Sequence, residues 1–275
     1  MTTPAPTTAL AGGSQMPQLG LGTWPLVGED CAAAVASAIE VGYRLIDTAE
    51  NYENEDGVGE GISRSGVARA DLFVTSKFNK KWHSVDGVRQ ACEASLERLG
   101  LDYLDLFLIH WPNPKQGTYV EAFEGLLAVQ EAGLVRAVGT SNFKAHHLAD
   151  LFARGFTPEV NQIQFDPHTL RADLVALHRE HGIVTEAWRP FGEGGSCTAE
   201  AAVQELAAKY GKTPQQIVLR WIVQQGHAAC PKSADPTRQA ANLDVFDFAL
   251  TADEMATIAD DRPDPKKLDA DRFGH

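Results

Sequence analysis

The chain has 275 residues, 44% hydrophobic and 22% charged, a balance that allows a large buried core and excludes a disordered, charge-rich polymer. A formal net charge of −13 sets the protein's own field against nucleic acid and anionic membrane, so neither is an expected partner, whereas a small anionic cofactor sees mainly its pocket. The cysteines, Cys31, Cys92, Cys197 and Cys230, form no CxxC pair; they suggest neither a zinc site nor a dithiol motif and fit reduced thiols in a cytoplasm.

Residues 1–15, rich in Thr, Ala and Pro, have no basic start or long apolar run, and are expected to be loosely ordered or an N-terminal hairpin rather than a signal peptide. From there short apolar runs alternate with helical patterns. The predicted strands are 19–24, 44–49, 72–77, 104–110, 135–142, 159–165, 183–188 and 228–233. Helices are predicted at 31–41, 85–99, 119–132, 170–181, 199–210 and 214–225, where spacings such as Val88, Cys92, Leu96 and Leu99 put apolar side chains on one face. Eight strands, each followed by a helix, predict an α/β fold of the (β/α)8 TIM-barrel type, one domain over 1–275. No stretch is long and apolar enough for a membrane span.

Barrels of this kind carry chemistry at the C-terminal strand ends, here Asp47, Lys77, His110, Ser141, Asn142, Gln162, Trp188 and Lys232. A Lys, an Asp and a His ending neighbouring strands are costly to bury unless paired. They suit hydride reduction of a carbonyl. Tyr52, just past the second strand, can donate the proton; Lys77 can stabilise its phenolate; Asp47 can hold the lysine ionised; His110 can orient the carbonyl oxygen or relay the proton. Singly, each has a plainer reading: a helix cap, a loop anchor, a snorkelling lysine, a core histidine.

Three ordered segments resemble the aldo-keto reductase family. The first is Gly42-Tyr43-Arg44-Leu45-Ile46-Asp47-Thr48-Ala49 with Tyr52, Glu55, Val58 and Gly59. The second is Arg136-Ala137-Val138-Gly139-Thr140-Ser141-Asn142-Phe143 with Leu126 upstream, and the third Pro231-Lys232-Ser233 with Arg238 and Asn242. The resemblance runs from Met16 to about Asp260 and is strongest to the bacterial branch that includes 2,5-diketo-D-gluconate reductases.

This resemblance implies a catalytic tetrad of Asp47, Tyr52, Lys77 and His110, with NADPH as cofactor. It assigns Ser141, Asn142 and Gln162 to the nicotinamide carboxamide, Trp188 to stacking on the ring, and Gly22, Thr23 and Phe191 to further cofactor contacts. Lys232 and Ser233 would bind the 2′-phosphate, Arg238 would lie beside the adenosine and Asn242 on the adenine. Arg189 stands where relatives have a small residue and is expected to reach or crowd the pyrophosphate, which the loop 191–196 would also contact. Cys230 replaces an aliphatic residue.

Trp24, Trp111, Trp82, Phe78 and Asn113 are the expected substrate wall, and a small carbonyl compound the expected substrate. The tail after residue 261, with Lys266, Lys267 and Arg272, is expected to fray; the alternative is closure over the site, favouring an anionic or polyhydroxylated substrate. Gly57-Val58-Gly59-Glu60-Gly61 does not have GxGxxG spacing and reads as helix packing. His146, His147, His178 and His181 read as surface histidines, and no metal site is expected. A monomer is expected. Two other functions stay open: a Schiff-base barrel aldolase using Lys77, and a nucleotide-binding homologue without turnover.

Overall fold

The computed structural model describes residues 5–262 and 268–275. A short hairpin opens the chain, β1 (Thr7–Ala9) antiparallel to β2 (Gln15–Pro17). Eight parallel strands follow: β3 (Gly20–Gly22), β4 (Leu45–Asp47), β5 (Phe73–Phe78), β6 (Leu104–Ile109), β7 (Val135–Ser141), β8 (Val160–Gln164), β9 (Val184–Trp188) and β10 (Ala228–Ala229). They pair in sequence order, and the sheet closes through a parallel bridge between Leu19 and Ala229. This is the predicted (β/α)8 barrel.

All eight predicted strands are present: β6 to β9 are trimmed by a residue or two, β3 and β4 by three, and β5 is shifted by one. The last is cut hardest, because Pro231 has no N–H for the ladder, although its carbonyl accepts from Gly22 N at 3.1 Å. Between the strands run α1 (Gly28–Val41), α2 (Glu55–Ser65), α3 (Val85–Leu99), α4 (Tyr119–Glu131), α5 (Ala145–Phe152), α6 (Ala172–Glu180), α7 (Ala201–Tyr210) and α8 (Pro214–Gln224). Two more, α9 (Pro236–Leu243) and α10 (Ala252–Ile258), follow β10. Local chemistry sets several ends. Ser84 accepts from Gly87 N to start α3, and the Thr213–Gln216 capping box with Pro214 starts α8. Gly100 takes φ 64° at the end of α3, a left-handed turn that glycine makes without strain.

The core has two layers. Apolar residues between strands and helices form the larger one. Inside the barrel, Leu45, Phe73, Leu106, Leu108 and Val160 fill the lower half, and Leu10 and Met16 of the hairpin plug it. Asp47, Lys77, His110 and Gln162 lie at the other end, where the strands finish.

The glycines of α2 serve packing, as expected. A Cβ on Gly59 would stand 2.2 Å from Leu99 O, and one on Gly61 would stand 2.6 Å from Ala32 O. The surface reading of two histidines is corrected. His178 is buried between Asn161 and Thr185, each 2.9 Å away, and His147 is buried beneath Tyr119 and Phe143. Helical spacing alone could not say which side of α5 and α6 faces the sheet.

Candidate active site

The strand ends open into a cavity of about 570 Å³. Asp47 ends β4, and Tyr52 sits on a single 3-10 turn, Glu50–Tyr52, just beyond it. Buried Asn54 pins that turn: its Oδ1 accepts from Thr48 Oγ1 and its Nδ2 donates to Leu26 O, both at 2.7 Å. Glu55 fixes the start of α2 by accepting from Ser76 Oγ and Arg98.

Lys77, wholly buried on β5, donates to Asp47 Oδ2 at 2.8 Å and Thr48 O at 2.9 Å, and its Nζ lies 3.4 Å from Tyr52 Oη. Burial works against the ammonium, but Asp47 and the Tyr52 oxygen outweigh it and hold the lysine above its ordinary value. Burial raises the Tyr52 phenol while Lys77 pulls it down; the net is upward, so at neutral pH the hydroxyl keeps its proton. His110 follows β6, its ring 5.7 Å from that of Tyr52, and burial, with Lys77 adding to it, holds it neutral. The four residues expected to act together are thus side by side.

The opposite wall is prearranged. Trp188 donates its indole N–H to Asn142 Oδ1 at 2.9 Å. Asn142, at φ 64°, donates to His110 O and Ser141 Oγ, and Ser141 Oγ donates to Gln162 O. Gln162 Nε2 donates to Asp47 Oδ1 and Glu186 Oε2, each at 2.8 Å, which spends both amide hydrogens and leaves Oε1 for a ligand. Gly22, Thr23, Phe191 and Lys232 also border the cavity; a Cβ on Gly22 would stand 2.7 Å from Cys230 O. Ser233 is buried and bonded to Asp235, Arg238 is exposed on the first turn of α9, and Asn242 is buried further along that helix. Arg189, at φ 52°, pairs with Glu193 at 2.7 Å and places its guanidinium 5.4 Å over the Trp188 ring. It borders the cavity from the side, and the loop 191–196 turns on three left-handed glycines.

Of the expected substrate wall, Trp24 and Trp111 line the cavity, Trp24 with 56% of its surface exposed. Phe78 and Trp82 do not. Phe78 is fully buried against Phe107, and Trp82 turns its Nε1 to Glu50 at 3.0 Å. Asn113 supports the tail, donating to Trp111 O and His275 O.

Residues 268–275 of the tail are packed against the barrel, not frayed. Lys144 bonds Asp269 and Asp271, Lys80 N donates to His275 O at 2.8 Å, and Leu268, Phe273 and His275 border the cavity. Lys266 and Lys267 lie outside the described residues, and Arg272 points to solvent. Sequence reading missed these tail contributors, for which no periodicity or spacing signal exists. It also missed Glu186.

Among the described residues, two clusters gather groups of metal-ligand type: His146 and His147 with Asp271, and Asp166 with His168 and Cys197. The tail supplies to the first the carboxylate that the histidine pair lacks in sequence. In the second, Arg262 lies 2.8 Å from His168 Nε2.

Comparison with known proteins agrees with this geometry. A model described as the Aldo/keto reductase family matches residues 18–260. The chain is 48% identical to 2,5-diketo-D-gluconic acid reductase B of a Corynebacterium species, over 92% of each chain. It is 45% identical to methylglyoxal reductase DkgA of Salmonella typhimurium, over 96% of this chain and 97% of that one. Among solved structures, a Gox0644 mutant in complex with NADPH superposes with a TM-score of 0.91 at 39% identity, over 98% of this chain and 97% of that one.

Proposed function

The chain belongs to the aldo/keto reductase family, and on that premise we propose that it reduces small aldehydes or ketones, of the methylglyoxal or keto-sugar-acid kind, with NADPH and with Tyr52 as general acid. Membership makes it an NADP-dependent oxidoreductase acting on carbonyl groups. The observation that carries the finer reading is the contact of Lys77 Nζ with Tyr52 Oη, made while the same nitrogen pairs with Asp47.

The residues present fit the cofactor. Gln162 keeps a free acceptor, Trp188 offers an indole ring held at its N–H edge by Asn142, and Lys232 brings an exposed ammonium to the rim. Ser141, Asn142 and Gln162 would hold the nicotinamide carboxamide, with Lys232, Ser233, Arg238 and Asn242 at the adenosine end. NADPH supplies the hydride.

The protein's own work is to deliver the proton and fix the carbonyl. Tyr52 donates from Oη to the carbonyl oxygen, and the phenolate left behind is stabilised by Lys77, whose charge Asp47 keeps in place. Neutral His110 orients the same oxygen. Trp24, Trp111 and Phe273 supply apolar walls that keep water from competing for it.

Two other readings fit less well. A Schiff-base lysine must be neutral and reach the substrate, whereas Lys77 is buried, ion-paired and held protonated. A homologue without turnover has no need of the complete tetrad. The test is loss of nicotinamide absorbance with NADPH and a panel of aldehydes and ketones that includes methylglyoxal. NADPH binding with no turnover on any of them would overturn the proposal.

A further inference from the structure

Below the tetrad lies a second carboxyl group that the proton delivery above leaves idle. Glu186, on β9, is wholly buried inside the barrel. Its Oε1 lies 2.9 Å from Cys230 Sγ, which can take a hydrogen bond from it when it carries a proton, and its Oε2 accepts from Gln162 Nε2 at 2.8 Å. The same Gln162 nitrogen donates to Asp47 Oδ1 at 2.8 Å, and Asp47 Oδ2 pairs with Lys77. One amide therefore joins two buried carboxyl groups that face a single ammonium.

One positive charge compensates one carboxylate. With Asp47 and Glu186 both ionised, the interior would hold a negative charge without a partner, and a low-dielectric site avoids this by keeping a proton on one of the pair. The direct ion pair belongs to Asp47, which places that proton on Glu186. The groups facing Glu186 are Asp47 on β4, Lys77 on β5 and Cys230 after β10, with Tyr52 beyond the lysine; Gln162 on β8 is neutral.

We propose that Glu186 is a positioning residue for Tyr52: through Gln162 and Asp47 it sets how much of the Lys77 charge the phenol feels. Protonated Glu186 leaves the lysine's field strong and Tyr52 a better acid. Ionised Glu186 adds a negative charge, raises the phenol and weakens it. The inference rests on Tyr52 being the proton donor.

Physical surroundings put the change in a measurable range. Burial, then Asp47, pushes Glu186 up to about 7, against the pull of Cys230, Gln162 and Lys77. Burial holds Cys230 well above its ordinary value and His110 well below its own, so neither titrates there.

The test is the single-turnover rate of methylglyoxal reduction from pH 5.5 to 9 in the wild type, Glu186→Gln and Tyr52→Phe, with NADPH affinity followed in parallel. The expected wild-type rate falls roughly tenfold across a break near neutrality, the effect of one added charge at an effective dielectric near 20. Glu186→Gln, which cannot ionise, loses that break while NADPH affinity stays flat with pH. A wild type without the break, or a variant that keeps it, overturns the proposal. Turnover surviving in Tyr52→Phe would instead overturn the donor assignment. Should Glu186→Gln not fold, infrared difference spectra of the wild type between pH 6 and pH 8 decide: no carboxylic acid band at pH 6 overturns the proposal.

Discussion

Phe273 meets Trp111 edge to face with ring centroids 4.7 Å apart, so a residue of the tail roofs the aromatic wall of the cavity. Aromatic pairs of this kind contribute about 0.5–1.5 kcal/mol beyond the area they bury. Phe273→Ala is expected to raise KM for the carbonyl substrate by roughly twofold to tenfold, with NADPH affinity unchanged. Steady-state kinetics and fluorescence titration check the two halves separately; an unaltered KM would detach the tail from the substrate.

Tyr52→Phe keeps the ring and removes the proton. General acid catalysis contributes roughly 10²–10⁴-fold, and turnover should fall within that span while NADPH Kd changes by less than about twofold. Lys77→Met should cost a similar factor, since the phenol then keeps only burial and the nearby Asp47 and Cys230, which raise it.

Lys232 tests cofactor choice. A hydrogen bond to a charged group is worth about 1.5–3 kcal/mol, so Lys232→Ala should weaken NADPH binding by roughly 10- to 150-fold. NADH, which has no 2′-phosphate, should bind the variant and the wild type alike. Equal losses for both cofactors would remove Lys232 from the phosphate.

Gly59→Ala probes the fold alone. The new Cβ meets the backbone carbonyl of Leu99, which no side-chain rotation can relieve, so α2 must shift. Overpacking of this kind costs about 1–3 kcal/mol. A Tm lower by roughly 2–12 °C is expected at this chain length, read by calorimetry.

Acid stability follows from four buried histidines. Burial lowers His178 from 6.5 to about 3, and His83, His147 and His227 to about 4. Each stays neutral when folded and takes up a proton when unfolded below pH 6.5. Their contribution is therefore complete above pH 6.5 and is lost as pH falls from there toward 4, at about 1.4 kcal/mol per pH unit for each histidine. Urea unfolding at pH 7, 6 and 5 should show that slope; a flat profile would contradict the assignment.

The barrel and the clustering of Asp47, Tyr52, Lys77 and His110 were legible because both rest on local signals. Strand patterns recur eight times and helical ones six, and Asp47, Tyr52, Lys77 and His110 each sit at or just beyond a strand end. Two of the helices left out had signals that could have found them: Asp235-Pro236 before α9, and the Thr251–Glu254 capping box of α10. α2 was hidden by three glycines chosen for packing, not for helix propensity. Phe78 and Trp82 show the limit at the site. Their positions in the chain suited a pocket wall, but which way a side chain turns past a strand end depends on neighbours such as Phe107 and Glu50. Glu186 and the tail depend on contacts between segments far apart in sequence.

The barrel's seam gives the cofactor a grip on the fold itself. β10 pairs with β9 over two residues and reaches β3 by the Leu19–Ala229 bridge, with Ala229 N on Gln18 O and Gly22 N on Pro231 O. A closed sheet has no edge, so its shortest ladder is where amide hydrogens should escape to solvent first. Gly22 and Lys232 flank that ladder on its two sides. A dinucleotide lying across it would act as an added rung, and its arrival should be readable as slowed deuterium uptake at Gly22 and Ala229.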